Sequence, residues 1–303
     1  MSRSAAAAEV AGVRITHPDR VMYAEPRLTK VEVARYFAAV ANRMLPHVEG
    51  RPLTLVACPG GLEGGCFYMR HSTAWAPDAL RRVRIREKTK IGQYLIADSA
   101  EALVSLAQMN VLEIHTWNSR ADRLEEPDRL VFDIDPGPDV PWRDVVAAAR
   151  RIRGTLHALD LESFVKTTGG RGLHVVVPLA PRHDWSECLA FARAVAEALA
   201  NAEPERYTTR FAKAGRERKV LIDYLRNNRT NTSIAAFSTR ARPGAAVSLP
   251  ISWGELRVRL NPARFTVRTI PARLERRPRD PWRDYWTLRQ RVTAAMKKAI
   301  RAA

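Results

Sequence analysis

Cysteine is scarce in this 303-residue chain: Cys58, Cys66 and Cys188 are an odd number with no C-x-x-C pair. That pattern suggests neither a disulfide framework nor a zinc ribbon, and it fits a reducing cytoplasm. Long apolar runs are missing too. Arg, Glu or Asp interrupts every candidate, the stretch 189–200 included, before the roughly 18 residues a membrane-spanning helix needs, so no membrane partner is expected. The N-terminal MSRSAAAAEV is too short and too weakly apolar for a signal-peptide core, and 1–11 reads as a disordered leader. A G-x-x-x-x-G-K-[ST] loop and a G-x-G-x-x-G opening a helix are both absent, which excludes the P-loop and dinucleotide-binding folds. No repeat and no Pro/Ser/Gly linker breaks the chain, leaving 12–303 as one domain with room for two lobes.

Acid is also in short supply, with 32 Asp+Glu against 50 Lys+Arg for a formal net charge of +18. A surplus of this size favours polyanions, because neutralising phosphates releases condensed counterions. Biased Arg-rich and Ala-rich usage would give the same number, so motifs have to decide. The hydrophobic fraction of 46% is enough for a large core.

Helix and strand signals are mixed throughout, which predicts an α/β or α+β fold. Thr29 and Glu32 form a capping box opening a helix over 30–45, with Val33, Phe37, Val40 and Met44 on one side. Asp98 and Glu101 repeat the device before 99–109. Pro141 opens a third helix through about 158, Ser186 caps a fourth to about 201, and a basic helix spans 283–301. Runs rich in Val, Ile and aromatics predict strands at 52–57, 66–70, 81–86, 93–97, 129–135, 162–168, 172–179, 219–225 and 233–239. Only Gly169, Gly170 and Arg171 separate 162–168 from 172–179. No crossover helix fits there, so the pair is a hairpin and much of the sheet is antiparallel or mixed.

The sharpest motif is LVFDIDPG at 130–137, an apolar strand ending in Asp133 and Asp135. Residues i and i+2 share a face about 7 Å apart, close enough to converge on divalent cations for two-metal phosphoryl transfer. A solvated turn is the alternative, since Asp is common in turns. In VKTTGGRGLHVVV at 165–177, the glycines free backbone amides for an anion and Thr168 and His174 flank the turn, although such glycines also simply make hairpins. In KVLIDYLRN at 219–227, Asp223 lies in an apolar strand with Arg226 three residues on. A lone buried acid needs a partner, and either a metal shared with Asp133 and Asp135 or a neighbouring arginine would serve. Arg240 and Arg242 in STRARPG could jointly face a phosphate chain.

The D-x-D strand, the T-G-G-R-G-L-H hairpin and the later single-Asp strand together resemble the archaeo-eukaryotic primase superfamily. ITHPDRVMY, RPLTLVACPGG, QMNVLEIHTW, DRLVFDIDPGPDVPW, KTTGGRGLHVVVPL, LIDYLRNN and TRARPGAAVSLP make the chain similar to the polymerase domain of bacterial ligase D over about 12–290. The resemblance implies a primase-polymerase core, with two mixed or antiparallel sheets around a catalytic cleft and helices on their outer faces. It implies a template-directed nucleotidyltransferase that extends primers and fills gaps in non-homologous end joining, favouring ribonucleotides and using two divalent cations, Mn²⁺ or Mg²⁺. Gapped or broken DNA, ribo- or deoxynucleoside triphosphates, Ku and a separate or fused ligase are the implied partners, in the cytoplasm at the nucleoid.

Carried over by position, Asp133, Asp135 and Asp223 would be catalytic and hold the metals. Thr168, His174, Arg240, Arg242, His115 and Arg226 would bind the nucleotide, Arg20 and Lys30 the downstream 5′-phosphate, and Phe67 and Tyr68 would stack on template bases. Thr168, Arg20, Tyr68 and Arg70 depart from the commoner Ser, Lys, Phe and Lys but keep hydroxyl, cation, ring and cation. No ligase sequence follows within these residues, so a stand-alone polymerase and an excised module both stay open. A non-catalytic module that holds DNA ends and a primase that starts chains de novo are the competing functions.

Overall fold

The computed structural model describes residues 7–212 and 215–302. Within them the chain forms two units of mixed α/β structure, in keeping with the fold class the sequence suggests. The first comprises Met1–Trp117, Ile234–Ser248 and Ala263–Pro278, and the second Asn118–Ser233, Leu249–Pro262 and Arg279–Ala303.

The second unit is built on a six-stranded sheet in the order Tyr207–Thr208, Val220–Asp223, Arg129–Pro136, Leu173–Pro178, Phe164–Thr167, Pro250–Ile251. All its ladders are antiparallel except that of Tyr207–Thr208 with Val220–Asp223. Alternation places Leu130, Phe132 and Ile134 on one face, fully buried, and Val131, Asp133 and Asp135 on the other. Helices Trp142–His157 and Trp185–Ala202 pack on this sheet through residues buried at helical intervals, among them Val145, Ala149, Ile152, Phe191 and Val195. Val131 and Val176 are covered by Trp282 and Tyr285, whose rings stack 5.1 Å apart.

In the first unit, Leu53–Ala57 lies between Val111–Thr116 and Phe67–Met69 and is antiparallel to both. Helix Lys30–Val48 buries Val33, Phe37, Val40 and Met44 and packs against helix Ala100–Gln108. Glu32 accepts a hydrogen bond from Thr29 N at 2.7 Å, as the capping box predicts.

Several expectations need correction. Ser99, not Asp98, caps the second helix by accepting from Ala102 N, while Asp98 is taken by Gly50 N and Arg81. Asp184, not Ser186, caps the fourth. The basic helix over 283–301 is a short turn, Arg283–Trp286, followed after a gap by helix Ala294–Ala302. Its middle is held straight by Gln290, whose side chain bonds Glu162 on both backbone groups and the Pro178 carbonyl. The 233–239 strand shrinks to Ser233–Ile234, and the chain turns at Phe237 with φ 64°. Ala8–Val10 pairs with Val13–Ile15, so the leader does not include it, and residues 1–6 lie outside the described residues.

Cys58 and Cys66 form a disulfide, against the expectation of none, and Cys188 is free and buried. The reason is register: Ala57 pairs with Phe67, which brings the next residue outward on each strand together across a glycine-rich turn. Among the described residues no helix is long and apolar enough to cross a membrane.

Two glycines in the second unit give opposite expectations. A Cβ on Gly172 would press into the Ile134 carbonyl oxygen, whereas one on Gly154, in helix Trp142–His157, meets nothing within 4 Å. Gly172→Ala should cost about 1–3 kcal/mol of unfolding free energy, and Gly154→Ala should gain about 0.5–1 kcal/mol. Chemical denaturation measures both. Equal midpoints would show that the hairpin does not press on the Asp133 strand.

Candidate active site

The antiparallel register of the second unit sets four ionisable side chains in one rank across neighbouring strands. Lys166 pairs with His174, His174 with Asp133, and Asp133 with Asp223. Directly opposed residues share a face, so the two acids meet on the side of the sheet that also carries Asp135. His174 Nε2 lies 3.3 Å from Asp133 Oδ1, and Arg226 bridges the acids, 3.0 Å from Asp133 Oδ2 and 3.2 Å from Asp223 Oδ2. Asp135 is exposed and paired with Arg216 at 3.0 Å.

Burial would raise the Asp133 carboxyl, but charge and hydrogen bonds from His174 and Arg226 outweigh it and hold the group well below the usual carboxylate range. Asp223 goes the other way. Burial pushes it up to about 6, with the charges of Asp133 and Asp135 adding to the rise and Arg226 opposing it. Burial and Lys166 lower His174 to about 4 despite Asp133, so the imidazole is neutral near pH 7. Its Nδ1 is buried without a hydrogen-bond partner among the described residues.

Thr168 is buried and ties the glycine hairpin together, donating to the Gly172 carbonyl at 3.1 Å and accepting from Gly170 N at 3.3 Å. Asn227, missed in the sequence, extends the ladder sideways. Its Oδ1 accepts from Val131 N and its Nδ2 donates to the Val131 carbonyl, each at 2.8 Å. Arg216 and Lys166 were missed as well. Lys166 stands inside a motif already singled out, and only strand register shows that it belongs to the rank.

In the first unit, His115 and Arg240 meet on Glu113, at 2.8 Å each, and the Tyr68 ring lies 6.5 Å from the His115 ring. Arg242 is exposed, its backbone N–H donating to the Arg240 carbonyl. Phe67 and Tyr68 are both solvent-exposed, at 48% and 75%, which sets aside core packing for them. Lys30 is buried at the first turn of its helix and donates its backbone N–H to the Arg20 carbonyl. Burial, with Arg20 nearby, lowers the Lys30 amine to about 8.

A model of the LigD primase-polymerase domain matches residues 29–282. The chain belongs to this family. It is similar to the multifunctional non-homologous end joining protein LigD of Pseudomonas aeruginosa, with 38% identity over 300 residues, 99% of this chain and 36% of that protein. The protein of the same name from Mycolicibacterium smegmatis is 35% identical over 246 residues, 80% of this chain and 32% of its own. The chain thus spans about a third of these curated relatives. Among solved structures it resembles the polymerase domain of Mycobacterium tuberculosis ligase D in complex with DNA, with a TM-score of 0.85 and 30% identity over 92% of this chain and 99% of that one.

As donors for a cation, the acids fit in chemistry more than in present position. Asp133 and Asp223 converge, and carboxylate oxygens are suitable ligands for a divalent cation. Yet guanidinium groups already hold them, and among the described residues no three His, Cys, Asp or Glu side chains are placed to hold a metal ion.

An acid whose folded pKa is raised lowers stability above that pKa and loses the effect below its unfolded value. Asp223→Asn should therefore stabilise the metal-free protein by about 1–3 kcal/mol at pH 8 and by almost nothing at pH 4. Denaturant titrations at the two pH values check this. A variant less stable than wild type at pH 8 would show that the Arg226 pair outweighs the burial of the charge.

Proposed function

We propose that this chain is a metal-dependent, template-directed nucleotidyltransferase that extends primers and fills gaps at DNA breaks, with a preference for ribonucleotides. Its setting is non-homologous end joining in the cytoplasm, at the nucleoid, alongside Ku and a ligase either separate or fused. The observation that supports this best is the placement of Asp133 directly opposite Asp223, with Asp135 on the same face, in a member of this family.

Bound divalent cations would supply an acidified primer 3′-hydroxyl and charge neutralisation on the triphosphate. Asp133, Asp135 and Asp223 would hold them. Neutral His174 orients Asp133, and Thr168 keeps the glycine turn in shape so that its amides can meet phosphate. Arg240, Arg242 and His115 would bind triphosphate, Phe67 and Tyr68 would stack on bases, and Arg20 and Lys30 would take the 5′-phosphate, where helix N-terminal amides assist. The ion pairs on all three acids favour one other reading, a non-catalytic module that grips DNA ends.

Primer extension on a gapped duplex with Mn²⁺ and separate ribo- and deoxynucleotide pools separates the two. Templated products that vanish in Asp133→Ala/Asp135→Ala support the polymerase. Salt-sensitive DNA binding without extension by the wild type would establish the end-holding module, and products from unprimed template would make the protein a primase. Lys30 adds a pH signature. It is charged below about 8, so the preference for a 5′-phosphate over a 5′-hydroxyl end should be strong at pH 7, weaken by pH 9, and lose this dependence in Lys30→Gln. A preference unchanged with pH in the wild type would remove Lys30 from the 5′-phosphate contact.

A further inference from the structure

Glu113 is a buried acid with no task in the chemistry described so far. It lies in strand Val111–Thr116, 5% exposed, two residues before His115 and on the same face. Its carboxylate collects three donors. Oε2 faces His115 Nε2 at 2.8 Å, while Oε1 accepts Arg240 Nε at 2.8 Å and the backbone N–H of Ala241 at 2.9 Å. Two of those donors are side chains assigned above to the nucleotide, and 127 residues of sequence separate Glu113 from Arg240.

We infer that Glu113 is a positioning residue for nucleotide binding: it docks the loop of Arg240 onto the strand of His115 and fixes how the guanidinium and the imidazole are presented to the triphosphate. This rests on the nucleotidyltransferase function proposed above. The loop is held at several points. Arg240 N donates to the Ala246 carbonyl at 2.9 Å, and the Arg240 carbonyl accepts from Tyr23 Oη at 2.9 Å and from Arg242 N at 2.8 Å. Those bonds fix the loop's backbone, whereas Glu113 grips both the backbone, at Ala241, and the Arg240 side chain, at Nε. A bond at Nε sets the plane of a guanidinium, and with it the direction of the whole fork.

A carboxylate beside phosphate-binding cations weakens their pull on an anion. Its presence lowers affinity unless orientation repays the loss. Glutamine separates charge and geometry from bulk. It has one acceptor oxygen where Glu113 uses two, so its NH₂ would either face Arg240 donor to donor or require His115 Nε2 to turn from donor to acceptor. Either way one of the two contacts is altered and the charge on both is lost. Aspartate keeps the charge but is a methylene short, so it should hold one partner well and the other poorly.

The test is templated extension by the full chain with Mn²⁺ and ribonucleoside triphosphates, with KM and kcat resolved separately. DNA affinity and the thermal midpoint are followed alongside. Glu113→Gln should raise the nucleotide KM about tenfold or more while kcat stays within about threefold and DNA affinity is unchanged. Glu113→Asp should lie between Gln and wild type. Adding Glu113→Gln to Arg240→Gln should cost much less than it does alone, because the acid acts through that arginine.

A wild-type KM in Glu113→Gln would overturn the inference. So would KM, kcat and thermal midpoint deteriorating together, the mark of a purely structural acid. If Glu113→Gln does not fold, Glu113→Asp decides: a raised KM at wild-type kcat supports the assignment, and an unchanged KM ends it. A wild-type protein that adds no nucleotide would refute the proposed function, and the positioning role with it. A wild type that extends normally beside an unaffected Glu113→Gln would refute the positioning role alone.

Discussion

Like charges brought together in an apolar sheet must be neutralised, and in this protein that constraint organises the whole candidate site. The rank of Lys166, His174, Asp133 and Asp223 passes from two bases to two acids across four strands, with Arg226 paired to the two acids and Arg216 to Asp135. The balance is uneven. Asp133 is held firmly ionised, whereas Asp223 is pushed toward its neutral form, chiefly by burial. The arginines make the metal-free fold tolerable, and the same oxygens would serve a harder cation.

The surrounding sequence keeps that rank in register. Gly172 lets the hairpin lie against the Ile134 carbonyl, and Gly137 lets the chain after Asp135 run beneath the Arg216 carbonyl, where a Cβ would collide. Asn227 grips both backbone groups of Val131, two residues before Asp133, in place of a further strand. The first unit solves a related problem with opposite signs. There a single buried acid, Glu113, gathers the Arg240 guanidinium and the His115 imidazole, and the aromatics Phe67 and Tyr68 are left in solvent.

Most of this was legible in the sequence at the level of elements. The strands at 52–57, 129–135 and 172–179 and the helices at 30–45 and 99–109 fall close to the observed Leu53–Ala57, Arg129–Pro136, Leu173–Pro178, Lys30–Val48 and Ala100–Gln108, because alternation and helical spacing are local. Lateral pairing is not local, and it accounts for what was missed. The rows flanking 58 and 66 were foreseen as strands, but the disulfide depends on Ala57 facing Phe67. Lys166 and Arg216 carry no signal of their own until register and loop path bring them to the acids. Glu113 could have been noticed as the first acid of an E-x-H pattern on a strand face. The basic tail misled for a different reason: its charge pattern suits a helix, but Trp282, Tyr285 and Gln290 gain more by binding the sheet.

The central proposal is that Asp133 and its neighbours bind divalent cations. Titration of the protein with Mn²⁺, followed by electron paramagnetic resonance of the free ion, tests it without any assay of turnover. Saturable binding that Asp133→Asn abolishes, together with unaltered folding of that variant, is the predicted result. Equal Mn²⁺ uptake by wild type and Asp133→Asn, or none by either, would contradict it and leave the acids as ion-pair partners alone.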